Sequence, residues 1–372
     1  MSRCRPLNLF ILALCTIPAC GRYAADAQSE LPARTYLHKN WQIQSSCEAK
    51  VAGEQISTVG FDTKGWHQSD IPATVAGVLV TDKTYPDPNY ATNLKTLPGM
   101  NYSDKHLFAN QDMPEGSPFL CSWWYRTEFT PPTGDGKKTE WLNFLGINYR
   151  ANIWINGHKV EDANDVAGTY RAYEFDVSKF LQAGKTNALA VEVFAPGRYD
   201  LGITWVDWNP TPPDKDMGIW KEVFLRSSGD VAVRNPFVTS KLDAEYKTAE
   251  LTISGELRNV SNEPVKGVLR AEVDGIELQQ PVELKAGETQ IVKFAPEQFA
   301  RLKLARPRLW WPYQMGTPNL YTAKLSFKIG GQFSDVASVT FGIREVTSEL
   351  TDKGHRLFKV NGKKVLIRGA AW

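Results

Sequence analysis

The residues best suited to chemistry lie in one stretch, Gly197 to Trp220, with the sequence GRYDLGITWVDWNPTPPDKDMGIW. Three tryptophans (Trp205, Trp208, Trp220) and four aspartates (Asp200, Asp207, Asp214, Asp216) are set there among prolines. Neither a helical nor an alternating period runs through it. Indole faces beside carboxylates suit a sugar, because the C–H face of a pyranose stacks on an aromatic ring while hydroxyls or an amine bond to a carboxylate. A loop of this length inside a compact domain is more often functional than idle. The competing reading is a packed Ω-loop whose tryptophans are core. Four aspartates also raise the question of acid–base catalysis. An open loop lacks the rigid, desolvated shell that lifts one carboxyl pKa opposite a nucleophile. The stretch is therefore read as contacting a ligand rather than cleaving it.

The loop hangs between two strands. NALAVEVFA, from Asn187, alternates Leu189, Val191 and Val193 with small or charged residues, and IWKEVFLRS follows the loop. Upstream, Trp123 to Thr130 is a strand of aromatic and β-branched residues stopped by Pro131-Pro132, and Trp141 to Leu145 is another. Ala151 to Val160 is a hairpin turning at Asn156-Gly157, a type I′ signal. Ala172 to Val177 adds a further strand. The region before Leu120 reads as irregular, with TYPDPNYATNL from Thr84 as a long structured excursion. Short strands with turn signals and little helical period predict a jelly-roll β-sandwich over residues 35–228.

Gly229 to Pro236 reads as a linker or an edge crossing. Five alternating runs follow: Glu250 to Asn259, Gly267 to Val273, Gln290 to Phe294, Leu320 to Ile329 and Asp335 to Arg344. Turns at Asp274-Gly275, Ala286-Gly287 and Gly330-Gly331 separate them, as in an immunoglobulin-like sandwich over residues 229–345. Pro312 places Leu309-Trp310-Trp311-Pro312 at an edge or in a loop. In residues 346–372 a hairpin turns at Asn361-Gly362 and runs into VLIRGAAW, the pattern of a fully buried strand that finds no partners.

Composition narrows the function classes. The 372 residues carry a net charge of +2, which gives no field directed at nucleic acid. An aromatic content of 11% with 12 Trp fits a β-rich globular protein and excludes a disordered one. Residues 1–27 read as an export signal. Arg3 and Arg5 precede an apolar run, Leu7 to Leu14, that is too short to span a membrane. Two exits are open: cleavage after Ala25-Asp26-Ala27, or lipidation of Cys20 at Ile17-Pro18-Ala19-Cys20, the only route to a membrane. Export leaves Cys47 and Cys121, which form one disulfide or stay as two isolated thiols. No CxxC or His/Cys ligand spacing occurs, so neither metal nor cofactor is implied.

Five ordered motifs carry a resemblance: WWYRTEFTPP, LNFLGINYRANIWINGHKV, WVDWNPTPPDKDMGIWKEVFL, LWWPYQMGTPNLY and FKVNGKKVLIRGAAW. Together they resemble glycoside hydrolase family 2, in its exo-β-glucosaminidase and endo-β-mannosidase branch. That resemblance implies a mainly β architecture: a sugar-binding jelly roll, an immunoglobulin-like sandwich, and the first strand of a (β/α)8 barrel at residues 346–372. It implies a retaining hydrolysis of β-glycosides by two carboxyl groups about 5–5.5 Å apart. Both belong to later barrel strands, and neither maps onto a residue here. Substrate contacts do map. Asp207 aligns with an aspartate expected to bind hydroxyls of the non-reducing sugar, flanked by Trp205 and Trp208, and Trp372 aligns with a barrel-strand end facing that pocket. Asn148, Tyr149 and Arg150 read as a β-turn with an exposed Arg, His158 as solvent-facing, and Trp310 and Trp311 as interdomain packing. Two functions follow: the substrate-contacting front of a family-2 β-glycosidase, whose partners are a carbohydrate and a barrel domain, or a stand-alone carbohydrate-binding module.

Overall fold

The computed structural model describes residues 34–102, 111–131, 139–203 and 210–369. The first sandwich uses twelve strands. They are β1 (Thr35–Tyr36), β2 (Trp41–Ser45), β3 (His67–Ser69), β4 (Ala73–Thr74), β5 (Trp123–Phe129), β6 (Thr139–Phe144), β7 (Arg150–Ile155), β8 (His158–Glu161), β9 (Tyr173–Asp176), β10 (Asn187–Phe194), β11 (Gly218–Ile219) and β12 (Val223–Ser228). A six-stranded sheet runs in the order β3-β2-β5-β10-β7-β8 and faces a four-stranded sheet ordered β1-β12-β6-β9. β4 and β11 form a small ribbon beside them.

β10 sits in the centre of the larger sheet and is buried on both sides. Leu189, Val191 and Val193 face the main core. Ala190 faces a second cluster with Ile56, Trp124 and Trp154. That outer cluster is roofed by a single helical turn, Gly53–Ile56. A Cβ at Gly53 would run into the Trp154 indole, so glycine is what lets the roof settle. The β7–β8 hairpin turns at Asn156 and Gly157, both with positive φ (50° and 83°), as a type I′ turn needs.

The region before Leu120 is more ordered than its composition predicts. β2 inserts beside β5 with Trp41 and Ile43 buried. A helix, Val75–Thr81, buries Val75, Val78 and Leu79, and its Thr74 cap accepts from Gly77 N at 3.2 Å. Both elements are short, which hid them from periodicity.

The second sandwich packs β13 (Val231–Leu242), β14 (Thr248–Asn259), β17 (Thr289–Phe294) and β18 (Lys303–Ala305) against a sheet ordered β16-β15-β19-β20. These last strands are β15 (Val265–Val273), β16 (Ile276–Leu284), β19 (Tyr321–Ile329) and β20 (Gln332–Phe341). The linker reading of Gly229 to Pro236 is overturned: Val231 already begins a 12-residue edge strand. Pro236 is accommodated where the β13–β14 register shifts, between Arg234 and Phe237, with Asn235 at φ 50°.

The two sandwiches meet on one buried carboxylate. Asp335 of β20 accepts from Arg226 Nη2 at 2.7 and 2.9 Å, from Arg234 Nη1 at 2.5 Å and from Val233 N at 2.9 Å. Arg234 Nε continues to Glu174 of β9 at 2.7 Å, and its guanidinium stands 5.0 Å from the Trp141 ring centre.

The hairpin turning at Asn361-Gly362 is present, while the buried strand expected after it is corrected. β21 (Val346–Leu350), β22 (Arg356–Val360) and β23 (Lys363–Val365) form an antiparallel sheet in that order. After Val365 the strand stops, and Leu366 and Ile367 are 75% and 64% exposed, not buried. Trp310 and Trp311 sit beside this sheet. Arg344 covers the Trp310 ring at 4.3 Å, Lys363 covers Trp311 at 4.8 Å, and Asn361 Nδ2 donates to Trp310 O at 3.0 Å.

Candidate functional site

Trp205, Asp207 and Trp208 fall in residues 204–209 and Trp372 in residues 370–372, outside the described residues, as does Cys20. The structure describes both limbs of the loop that carries the first three.

The outgoing limb starts at the end of β10. Asp200 folds back to accept from Gly197 N at 2.9 Å and pairs with Arg150 Nη2 at 2.9 Å. Arg198 reaches Asp112 at 3.4 Å. The reading of Asn148 to Arg150 as a turn with an exposed Arg is therefore overturned: Arg150 opens β7, is half-buried and is paired.

The return limb is a locked turn. Met217 N donates to Asp214 O at 3.1 Å, closing a turn over Lys215 and Asp216. Both central residues have positive φ, 51° and 56°, a conformation that side chains other than Gly, Asn or Asp resist. Two groups hold it. Asn148, fully buried, donates from Nδ2 to Lys215 O at 2.9 Å and to Asp216 O at 2.7 Å, while its Oδ1 accepts from Thr169 Oγ1 at 2.7 Å. Asn148 also exchanges backbone hydrogen bonds with Gly218 at 2.9 and 2.8 Å. Asp214 is the second group. Its carboxylate accepts from Ala76 N, in the first turn of the Val75–Thr81 helix, at 2.7 Å, and from Asp216 N at 2.9 Å.

Electrostatics separates the aspartates. Burial pushes the Asp214 carboxyl up to about 7, helped by the charge of Asp216 and opposed by the Ala76 N–H. Burial also lifts Asp216 to about 6. Lys215 is buried, donates to Gln111 O, and has its pKa lowered by desolvation against the attraction of Asp112 and Asp200. Asp214 is 1% exposed, so no substrate reaches it. Its carboxylate holds the loop turn to the Val75–Thr81 helix.

Asn148 is the residue that sequence reasoning undervalued. Its signal was a polar side chain between Ile147 and Ala151, two fully buried apolar positions. A buried amide of that kind must find partners, and here they are the carbonyls of the loop. Cys47 and Cys121 are joined, with Cα atoms 5.9 Å apart. His158 is exposed. Among the described residues one acidic group, Glu161, Asp162 and Asp165, brings carboxylate oxygens within 4.8 Å of one another. There Asp162 Oδ1 already accepts from Asn164 N at 2.9 Å.

Two packed β-sandwiches define the fold class, and comparison with known proteins gives the family. The chain belongs to glycosyl hydrolase family 2: residues 231–344 match the family model, and residues 119–204 match its galactose-binding domain-like model. It is 35% identical over 333 residues to an exo-beta-D-glucosaminidase of Amycolatopsis orientalis, covering 89% of this chain and 30% of that protein. It is 28% identical to a mannosylglycoprotein endo-beta-mannosidase of Lilium longiflorum, covering 90% and 37%. The crystal structure of the Amycolatopsis orientalis exo-chitosanase superposes with a TM-score of 0.79 at 33% identity, over 91% of this chain and 37% of that one. A further complex of that enzyme holds PNP-beta-D-glucosamine. The chain thus spans about a third of the length of the relatives it matches.

Proposed function

We propose that this chain is the substrate-contacting front portion of an exported family-2 β-glycoside hydrolase acting on β-glucosaminides. The observation that carries the reading is the 35% identity to an exo-beta-D-glucosaminidase across 89% of the chain. The braced loop supports it. Asp207, between Trp205 and Trp208, is assigned the role of holding sugar hydroxyls or an amine, and Trp372 that of facing the same ring. The catalytic pair is assigned to no residue of this chain. The Cys47–Cys121 disulfide supports export, because such bonds persist in oxidising compartments. Signal cleavage after Ala27 and lipidation of Cys20 remain the two routes, told apart by mass spectrometry of the mature N-terminus.

The test is direct. Purified chain is assayed on aryl β-glucosaminides, mannosides and galactosides, and its binding to glucosamine oligosaccharides is followed by calorimetry. Binding without turnover, weakened at least about tenfold in Asp207→Ala by loss of hydrogen bonds to a charged group, is expected. Turnover that disappears in Asp207→Ala would make the loop catalytic and overturn the assignment. Reading the DNA beyond codon 372 separates an enzyme portion from a stand-alone binding module.

A further inference from the structure

The cover over the outer tryptophan cluster is held in two different ways. Residues 53–60 are bound to β5, to β7 and to the β7–β8 turn. Trp154 Nε1 donates to Glu54 Oε1 at 3.1 Å. Arg126 donates from Nε to Ile56 O at 2.9 Å and from Nη2 to Thr58 O at 2.8 Å. Gly157 N donates to Ser57 Oγ at 3.0 Å, and Gly60 N to Glu128 Oε1 at 2.7 Å. Residues 47–52 have no such anchors. Among the described residues their hydrogen bonds close only on residues 45–56, with Glu48 N and Ala49 N donating to Ser45 O, Lys50 N to Glu48 O and Val51 N to Ala49 O. What joins this half to a distant part of the chain is the Cys47–Cys121 disulfide, across 74 positions. Ser46, just before it, is stitched to Ser122 O at 2.9 Å and marks where a hinge would fall.

The span covers something specific. Ala49 and Val51 pack on the cluster of Ile56, Trp124, Trp154 and Ala190. Trp124 is 3% exposed, and its Nε1 is buried without a hydrogen-bond partner. A buried donor that lacks an acceptor favours any state that admits water to it. Lifting the span is thus assisted from below by the indole N–H and opposed by two small apolar contacts and one covalent bond. Cys47 is exposed, so that bond is open to attack by a thiolate from solvent.

We propose that the Cys47–Cys121 bond is a redox latch. Oxidised, it keeps residues 47–52 over Trp124; reduced, it lets that span lift while residues 53–60 stay seated. The reductant is a dithiol. One of its thiolates attacks the Cys47 sulfur, the S–S bond breaks, and Cys121 leaves as a thiolate and takes a proton. The second thiol of the reagent then displaces Cys47 as a thiol, and the reagent departs as its own disulfide. In an exported protein the cover therefore closes only where the bond can form.

The test uses the full chain under native conditions, with and without dithiothreitol, and follows Cys47 and Cys121 by alkylation and mass spectrometry. Trypsin should cut after Lys50 about tenfold faster once the two cysteines are reduced, because cleavage follows the population of the open form. Tryptophan emission should shift to the red on reduction, and Trp124→Phe should remove that shift. Replacing both cysteines by Ser should reproduce the reduced behaviour without reductant; if that variant does not fold, reduced wild type carries the test alone. Equal cleavage after Lys50 in the two states overturns the latch. So does cleavage that spreads across the first sandwich at the same rate, which would be loss of the fold, and so does a bond that resists dithiothreitol until urea unfolds the chain.

Discussion

Two buried aspartates organise the two halves of this molecule in opposite ways. Asp335 is enclosed by Arg226 and Arg234, so its charge is neutralised by cations at 2.5–2.9 Å. Asp214 is just as deeply buried but accepts from the N–H groups of Ala76 and Asp216, and burial raises its carboxyl to about 7. Asp335 sits where two sandwiches join, paired with two guanidinium groups. Asp214 sits under a loop, where a group that loses its charge near neutrality leaves the seat adjustable. The difference shows how a fold can bury the same side chain either as a fastener or as a responsive support.

The contrast can be broken at its strongest point first. Asp335→Ala leaves two arginines buried without their partner and should cost about 3–5 kcal/mol, read from urea unfolding. A loss below about 1 kcal/mol would show that water replaces the carboxylate and that the seam is not sealed.

The next effect belongs to the Asp214 half, which carries the only cross-link among the described residues. Replacing Cys47 and Cys121 by Ser should cost about 2–4 kcal/mol. Reductant should reproduce that loss in wild type and add nothing to the double variant.

Asp214 itself is expected to act through pH. Its folded-state pKa is raised, so the folded protein binds the proton more tightly than the unfolded chain does. The associated stability is present below the unfolded value of 3.8 and is lost as pH rises through about 7. Asp214→Asn should therefore be less stable than wild type by about 1–3 kcal/mol at pH 5, with the gap closing toward pH 8. A gap that is constant from pH 5 to 8 would remove the contrast with Asp335.

The smallest effect is expected where neither aspartate reaches. Leu366→Ser with Ile367→Ser should change stability by no more than about 0.5 kcal/mol but lower light scattering in concentrated samples, since both side chains are exposed. Unchanged scattering would mean that this apolar surface is not what associates.

Much of the fold was legible because its strands alternate cleanly. β10, β14, β15 and β19 were readable from period alone, and the Asn156-Gly157 and Asp274-Gly275 turns from backbone chemistry. β13 was not, because Gly229 and Pro236 punctuate it as a linker would, and only the bulge at Asn235 lets proline stay in an edge strand. β2 escaped because five residues, WQIQS, are too short a sample. The site divides the same way. Aromatic and acidic residues marked the loop, but what braces it could not be read. Asp214 meets Ala76 across 138 positions, and Asn148 meets Lys215 across 67. Hydrogen bonds of that range leave no local pattern in a single sequence.

The seam at Asp335 has a further consequence, for how the protein comes apart. Family models place a boundary between residues 204 and 231, and the chain passes from β12 to β13 with only two residues between them. The covalent boundary is therefore narrow, while the ion cluster spans it, with Arg226 before it and Arg234 and Asp335 after. Unfolding either sandwich alone would strand charges in the other. Heating should consequently melt both in a single calorimetric peak whose van't Hoff and calorimetric enthalpies agree. A polypeptide covering residues 231–344 alone, cut at that boundary, keeps the Arg234–Asp335 pair but loses Arg226 and Glu174, so it should unfold at lower urea concentration than the same region does in the full chain.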